Sequence, residues 1–307
     1  MSLPQHIRIG ICLIVIAAFI ISVQDLVFKQ FATHLSLWQV FAVRGLITLP
    51  LLVMLMRFWQ GDRFRFRSLV QGFAPWPLLR SLTFTLTLLA FYAALPKLSF
   101  ATVGAANYIA PLFIAVLSAL IVGERVAWAG WLGIVLGLGG LLLMLQPGTD
   151  AFSPWIFLPV GGALSYAISH IITRTKCQHL DATTLAFSQS SLMMVSGFLV
   201  AGGLLIWPVG EALEIAEPLL FGPWPGLTGR DWGVLTLMAL LTIAASTLVA
   251  RAYQVAPPAT VATFEYSYIL FAAFWDAMTG ALPNPLGLMG ITLILIAGIL
   301  VLKKANP

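Results

Sequence analysis

Apolar residues neither alternate along this chain nor mark one face of short helices. They run on continuously from Ile7 to Leu302, cut only by brief polar breaks. Each run is about 20 residues long, the length a helix needs to cross the hydrocarbon core of a bilayer. Ten such runs can be laid out, at about 7–32, 36–57, 74–96, 99–122, 126–146, 153–174, 181–208, 230–255, 257–280 and 284–303. A backbone amide left unpaired in hydrocarbon costs several kcal/mol, so spanning elements are helices or closed barrels. The absence of period-two alternation selects helices.

Composition fits that pattern. With 60% hydrophobic and 9% charged residues, 307 residues cannot bury their apolar surface in one water-soluble globule. The predicted class is therefore an all-α polytopic membrane protein. Arg8 before the first apolar run gives it the look of a signal peptide, but the run continues towards Phe31 without a small-residue cleavage site and reads as a retained span. The two cysteines, Cys12 and Cys177, predict no disulfide.

The net charge of +5 bears on topology, not on nucleic acid. The break after the second run carries Arg57, Arg63, Arg65 and Arg67, whereas the long break after the seventh carries Glu211, Glu214 and Glu217. Basic loops stay on the cytoplasmic side. With ten alternating spans, Arg8, Arg125, Arg174, Lys176, Arg251, Lys303 and Lys304 all fall on that side, and both termini are predicted to be cytoplasmic. Trp38, Trp59, Trp76, Trp128, Trp155, Trp207 and Trp232 stand near span ends and read as interface anchors. The acidic stretch from 209 to 228 is expected to lie along the outer surface.

The polar break Gln146-Pro147-Gly148-Thr149-Asp150 divides the spans five and five. Ala101-Thr102-Val103, Tyr108, Leu112-Phe113, Ala115 and Gly140 recur, at one constant offset and without a gap, as Ala259-Thr260-Val261, Tyr266, Leu270-Phe271, Ala273 and Gly298. A weaker match relates Arg44 to Gln189. These matches predict a duplication, 1–148 and 149–307, and an odd number of spans per copy makes the second copy enter the bilayer inverted. Inverted repeats place a binding site near the midplane and rock about it to open either side.

The segments Asn107-Tyr108-Ile109-Ala110-Pro111-Leu112-Phe113, Gly123-Glu124-Arg125 and Phe264-Glu265-Tyr266-Ser267 resemble the drug/metabolite transporter superfamily, and within it the EamA-type exporters of ten helices in two five-helix halves. The chain is most similar there to YddG-like exporters of aromatic and other hydrophobic amino acids. The resemblance implies secondary or facilitative export of such solutes by alternating access, in a bacterial inner membrane and without a cofactor. Two departures bear on symmetric gating. Gly280-Ala281-Leu282-Pro283 stands where the first half has Gly123-Glu124, and Asp276 stands in the ninth span.

Ionisable groups within spans are costly, about 2.5–3.5 kcal/mol at a helix centre, and so mark candidate sites. Glu265 lies some eight residues inside the ninth span at the position equivalent to Asn107, beside Tyr266 and Tyr268. It could hold a substrate amine or carry a proton, or simply be solvated near the cytoplasmic end. Pro111 must displace the carbonyl of Asn107, leaving local backbone able to bind a polar group or merely kinking the helix. Asn107, Tyr108, Glu265, Tyr266, Tyr92, Tyr166 and Gln24 are therefore the candidate substrate-binding residues. Asp25, Arg44, Gln189, His170 and Pro111 are candidate gating or structural positions. Asp25 could pair with Arg44 at similar depth or with Lys29 one turn on. Tyr166 and His170, one turn apart, share a face. Gly130, Gly133, Gly137 and Gly140 form a close-packing stripe, within the bundle or between two copies.

No Walker, His-Glu-xx-His or Gly-x-Ser-x-Gly motif occurs, so neither ATP-driven pumping nor a recognised membrane hydrolase is supported. The expected partners are a small-molecule substrate and the lipid bilayer, with no nucleic acid and no metal; the chain could act as a monomer or a homodimer. A nucleotide-like metabolite, a polyamine or a drug is the alternative cargo. An intramembrane enzyme using Ser169, His170 and Glu265, or a non-transporting sensor, is the alternative class.

Overall fold

A computed structural model describes residues 4–61, 66–98, 100–123, 126–145, 153–278 and 285–304, and every regular element among them is helical. In chain order these are α1 (Gln5–Phe31), α2 (Leu37–Gln60), α3 (Phe66–Gln71), α4 (Pro75–Ala94), α5 (Phe100–Asn107), α6 (Ala110–Leu117), α7 (Trp128–Leu145), α8 (Phe157–Lys176), α9 (Ala182–Ile206), α10 (Glu211–Ala216), α11 (Pro218–Phe221), α12 (Gly229–Val255), α13 (Pro258–Glu265), α14 (Ser267–Met278) and α15 (Pro285–Lys304). A π-helical turn, Ser118–Val122, extends α6 and ends at Gly123, whose φ of 74° is a left-handed conformation that glycine adopts without steric cost. Pro75, Pro218, Pro258 and Pro285 open their helices, where a missing N–H costs nothing.

Among the described residues six helices are long and apolar enough to cross a membrane: Gln5–Phe31, Leu37–Phe58, Pro75–Ala94, Pro154–Lys176, Ala182–Ile206 and Gly229–Val255. Ala110–Val122, Trp128–Leu143 and Pro285–Ala297 are shorter apolar helices. The protein is thus an all-α polytopic membrane protein of about ten spanning segments, and the fourth and ninth are interrupted. The fourth is divided into α5 and α6 around Tyr108 and Ile109, the ninth into α13 and α14 at Tyr266. Hydroxyls along the helices donate to the carbonyl one turn back, as Thr48 does to Arg44, Thr173 to Ser169, Ser191 to Phe187 and Thr263 to Ala259. This pairs hydroxyls that would otherwise be buried without a partner.

The chain forms two compact units. One comprises residues 1–19, 86–179 and 248–307, the other 20–85 and 180–247, so each draws on both halves of the sequence, and α1, α4 and α12 contribute to both. In the first unit α7 lies along α15 and α13 packs on α6, α7 and α8. A Cβ on Gly140 would fall 2.5 Å from the Gly290 carbonyl, so the glycine permits backbone contact between α7 and α15. A Cβ on Gly137 would lie 2.6 Å from the Tyr266 ring. This part of the glycine stripe therefore packs within the unit. Tyr108 stacks on Tyr266, while Ala115 shares a buried cluster with Ala259 and Ile134. Residue numbers rise along α6 as they fall along α13, which makes the two helices antiparallel.

In the second unit α2 packs along α9. Gly197 faces the Trp38 carbonyl and Ala42, Gly45 faces Met194, and Leu52 clusters with Ala186. This register also runs antiparallel. Trp38 departs from the expectation of an interface anchor: it is buried, and its indole N–H donates to the Leu220 carbonyl at 2.7 Å. Trp76, Trp128, Trp155, Trp207 and Trp232 are exposed, as anchors would be. Gln39 Nε2 donates to the Pro225 carbonyl at 2.8 Å, so the stretch between α9 and α12, with its short helices α10 and α11, is tied to α2. His34 Nε2 lies 3.1 Å from Asp231, whose other carboxylate oxygen accepts from the amide and hydroxyl of Thr228. Arg63, Arg65, Glu124, Arg125, the 146–150 break and 280–283 lie outside the described residues, as do the side chains of Trp59, Asp276, Lys303 and Lys304.

Candidate functional site

The interruption of the ninth span leaves Glu265 as the last residue of α13. Its Oε1 accepts two phenol hydroxyls, from Tyr166 of α8 at 2.9 Å and from Tyr253 of α12 at 2.7 Å. Oε2 carries no hydrogen bond from any described residue, and Glu265 is half-buried. No described cation lies within ion-pairing distance of this carboxylate.

His170 fixes the two tyrosines. It is fully buried, its ring 4.3 Å edge-on from Tyr166 and 3.9 Å stacked on Tyr253. Tyr166 and His170 share a face because they are one turn apart on α8, and α12 closes the other side of the imidazole. Tyr253, itself at 0% exposure, is the residue that sequence reasoning missed. Its position near the end of a long apolar span reads as another interface aromatic. Next to it, Gln254 ties the ends of α12 and α8: its side chain donates to the Cys177 carbonyl at 2.8 Å and its own carbonyl accepts from Arg174 at 2.8 Å.

A second group lies one residue further along. Tyr266 donates its hydroxyl to the Tyr108 carbonyl at 3.2 Å, and its ring stacks on Tyr108 at 6.3 Å with 26° between planes. Tyr108 also stacks on Tyr268. Pro111 explains why that carbonyl is open. It has no N–H to offer, and the amide of Leu112 goes to Ile109 instead. The backbone opening predicted at Asn107 is thus seen filled one residue later, at Tyr108. Asn107 ends α5, and its Oδ1 is buried with no hydrogen-bond partner among the described residues.

The remaining candidates are dispersed. Tyr92, near the end of α4, packs edge-on against Phe91 in the same unit as Glu265. Gln24, Asp25, Arg44 and Gln189 belong to the other unit. There Gln24 accepts a hydrogen bond from Thr242 at 2.8 Å, Asp25 is exposed, Arg44 is buried with its guanidinium over Phe41, and the Oε1 of buried Gln189 has no partner among the described residues. Ser169 donates to the Tyr166 carbonyl, which turns its hydroxyl back onto its own helix. Among the described residues no three His, Cys, Asp or Glu side chains are placed to share a metal ion.

A polytopic helical membrane protein with a carboxylate at an interrupted span has the build of a small-molecule transporter. Residues 8–146 match the EamA-like transporter family, which the chain resembles over that stretch. Over 294 residues, 95% of each chain, it is 25% identical to the pseudopaline exporter CntI of Pseudomonas aeruginosa. It is 27% identical to an S-adenosylmethionine uptake transporter of Rickettsia prowazekii, covering 69% of this chain and 70% of that one. A probable terminal-alkyne amino-acid exporter of Streptantibioticus cattleyicolor is 29% identical, over 64% of this chain and 61% of the relative.

Proposed function

We propose that this protein exports small metabolites, with hydrophobic and aromatic amino acids as the leading class, by alternating access across a bacterial inner membrane. Both termini face the cytoplasm, and 1–148 and 149–307 act as inverted repeats. Support for the repeats comes from three features. Spans related by the sequence repeat pack antiparallel, the fourth on the ninth through α6 and α13 and the second on the seventh through α2 and α9. Their interruptions fall at matching positions, after Asn107 and after Glu265. Tyr108 and Tyr266, equivalent in sequence, meet at those interruptions.

The observation that carries the substrate reading is the Glu265 carboxylate, bonded by Tyr166 and Tyr253 alone among the described residues. A half-buried carboxylate without a cation is a receptor for an ammonium group. Tyr108 and Tyr268, with buried Tyr266 stacked behind Tyr108, supply apolar surface for a side chain, and the Asn107 amide oxygen is a further polar contact. Among the relatives one is an amino-acid exporter by name, which favours this class.

The test is counterflow in proteoliposomes loaded with labelled phenylalanine or tryptophan. Wild-type protein should exchange one or both, and Glu265→Gln should not. If no member of a broad amino-acid panel is exchanged by the wild type, the substrate assignment fails. Uptake from one side in oriented vesicles decides between export and import.

A further inference from the structure

We infer that the stretch between α9 and α12 is a strap with a docked and a released state, and that Gln39 works the exchange by trading its bond to the Pro225 carbonyl for the cap of its own helix. The inference lies wholly within the second unit and is independent of the cargo.

α2 and α12 open on the same kind of sequence, Ser36-Leu37-Trp38-Gln39 and Thr228-Gly229-Arg230-Asp231. A hydroxyl residue followed three positions on by an amide or carboxylate residue is a capping box, in which each side chain bonds the other residue's backbone N–H. At α12 the box is closed. The Thr228 amide donates to Asp231 Oδ2 at 2.8 Å, and the Asp231 amide donates to the Thr228 hydroxyl at 3.3 Å. At α2 it is open. Ser36 has the extended backbone of a cap residue, yet no side-chain cap bond forms. Its Oγ and the Gln39 Oε1 belong to residues 2% and 4% exposed, and neither atom has a partner among the described residues. Two buried acceptors left open at one helix start are costly.

The strap accounts for them. Gln39 commits its Nε2 to the Pro225 carbonyl at 2.8 Å, and Trp38 beside it commits its indole N–H to the Leu220 carbonyl at 2.7 Å. Each of these neighbours has a second use: Gln39 stands at the third position of the box, and Trp38 stands at a span end, where an indole N–H can be wet. Release gives up those two bonds and allows the two of the closed box, while the freed indole and carbonyls meet water. Hydrogen bonding is therefore nearly conserved, and apolar burial decides for the docked state. That burial is slight, since Leu220 is the one buried side chain from 207 to 228. So few buried contacts mark a segment that opens locally. The closed box at Thr228, with His34 3.1 Å from Asp231, fixes the hinge about which the strap swings. Docked, the strap joins the starts of α2 and α12; released, it leaves them separate, which gives this part of the bundle two discrete arrangements.

The test is hydrogen exchange of the full chain in detergent, resolved to single amides. Those of Leu220, Phe221 and Gly222 bond within the strap, in the four-residue α11, which does not hold without a docking surface. In the wild type these three should exchange together, about fivefold or more faster than Leu235 and Thr236 of α12. Trp38→Phe removes one grip and should speed them a further fivefold or so, while the Ser36 and Gln39 amides slow because the freed Gln39 closes the box. Adding Gln39→Leu should keep the strap fast and erase the slowing. Ser36→Ala touches no docked contact and removes an acceptor used only in the released state, so the strap should then exchange more slowly than in the wild type. A faster strap in Trp38→Phe with the Ser36 and Gln39 amides unchanged or faster means plain anchoring and overturns the proposal. So does a strap that Trp38→Phe leaves unchanged, or that Ser36→Ala leaves as fast as before. The wild-type measurement needs no variant to fold, and strap amides no faster there than those of α12 overturn it too.

Discussion

The fourth and ninth spans, α5–α6 and α13–α14, are interrupted at matching positions by different means. In the fourth, Pro111 withholds an amide and the carbonyl of Tyr108 is left for the Tyr266 hydroxyl. In the ninth, Ile269 occupies the matching position and donates its amide to the Tyr266 carbonyl three residues back, while the Ser267 hydroxyl donates to the Phe264 carbonyl at 2.7 Å. The polar residue that closes the first segment is an amide in one case, Asn107, and a carboxylate in the other, Glu265. The difference teaches that the break belongs to the architecture, whereas the charge belongs to one side of it. A site formed around such a pair is chemically lopsided, with one ionisable pole.

The largest expected effect comes from removing that pole. Glu265→Ala should lower exchange in proteoliposomes by about 100-fold or more, on the order of 2.7 kcal/mol, with the amount of folded protein unchanged on size exclusion. Asn107→Ala should cost far less in the same assay, and equal losses would break the comparison. Next comes the packing behind the ninth span. Gly137→Val drives a side chain into the Tyr266 ring and should cost about 1–3 kcal/mol, seen as a thermal midpoint several degrees lower. Gly139→Val, on the same helix with nothing within 4 Å of its would-be Cβ, should leave the midpoint nearly unchanged.

The smallest effect sharpens the comparison most. Tyr266→Phe removes the hydroxyl from the Tyr108 carbonyl and should cost about 1 kcal/mol in thermal unfolding. Pro111→Ala supplies the amide that the carbonyl lacks. In the Pro111→Ala background the Tyr266→Phe cost should shrink by at least half, and an unchanged cost would show that proline does not keep that carbonyl open.

The spans were legible because bilayer thickness sets their length, and runs such as Leu37–Phe58 and Gly229–Val255 meet it without help from tertiary packing. The break at Asn107 was legible through Pro111. That at Glu265 has no proline and could be placed only by its match to the first. Tyr253 was not legible, since its role depends on α8, α12 and α13 converging, and nothing in Ala252-Tyr253-Gln254 encodes that meeting. Trp38 misled for the same reason: an indole near a span end looks like a wet anchor until a distant carbonyl, that of Leu220, claims its N–H. The compact units were equally hidden, because each is assembled from segments far apart in sequence.

Trp38 and Gln39 grip the stretch between α9 and α12 by its main chain, at Leu220 and Pro225. A grip on carbonyls reads the path of the chain and ignores most of the side chains along it. The segment can therefore change in composition so long as its course is kept, while a change at Trp38 or Gln39 releases it.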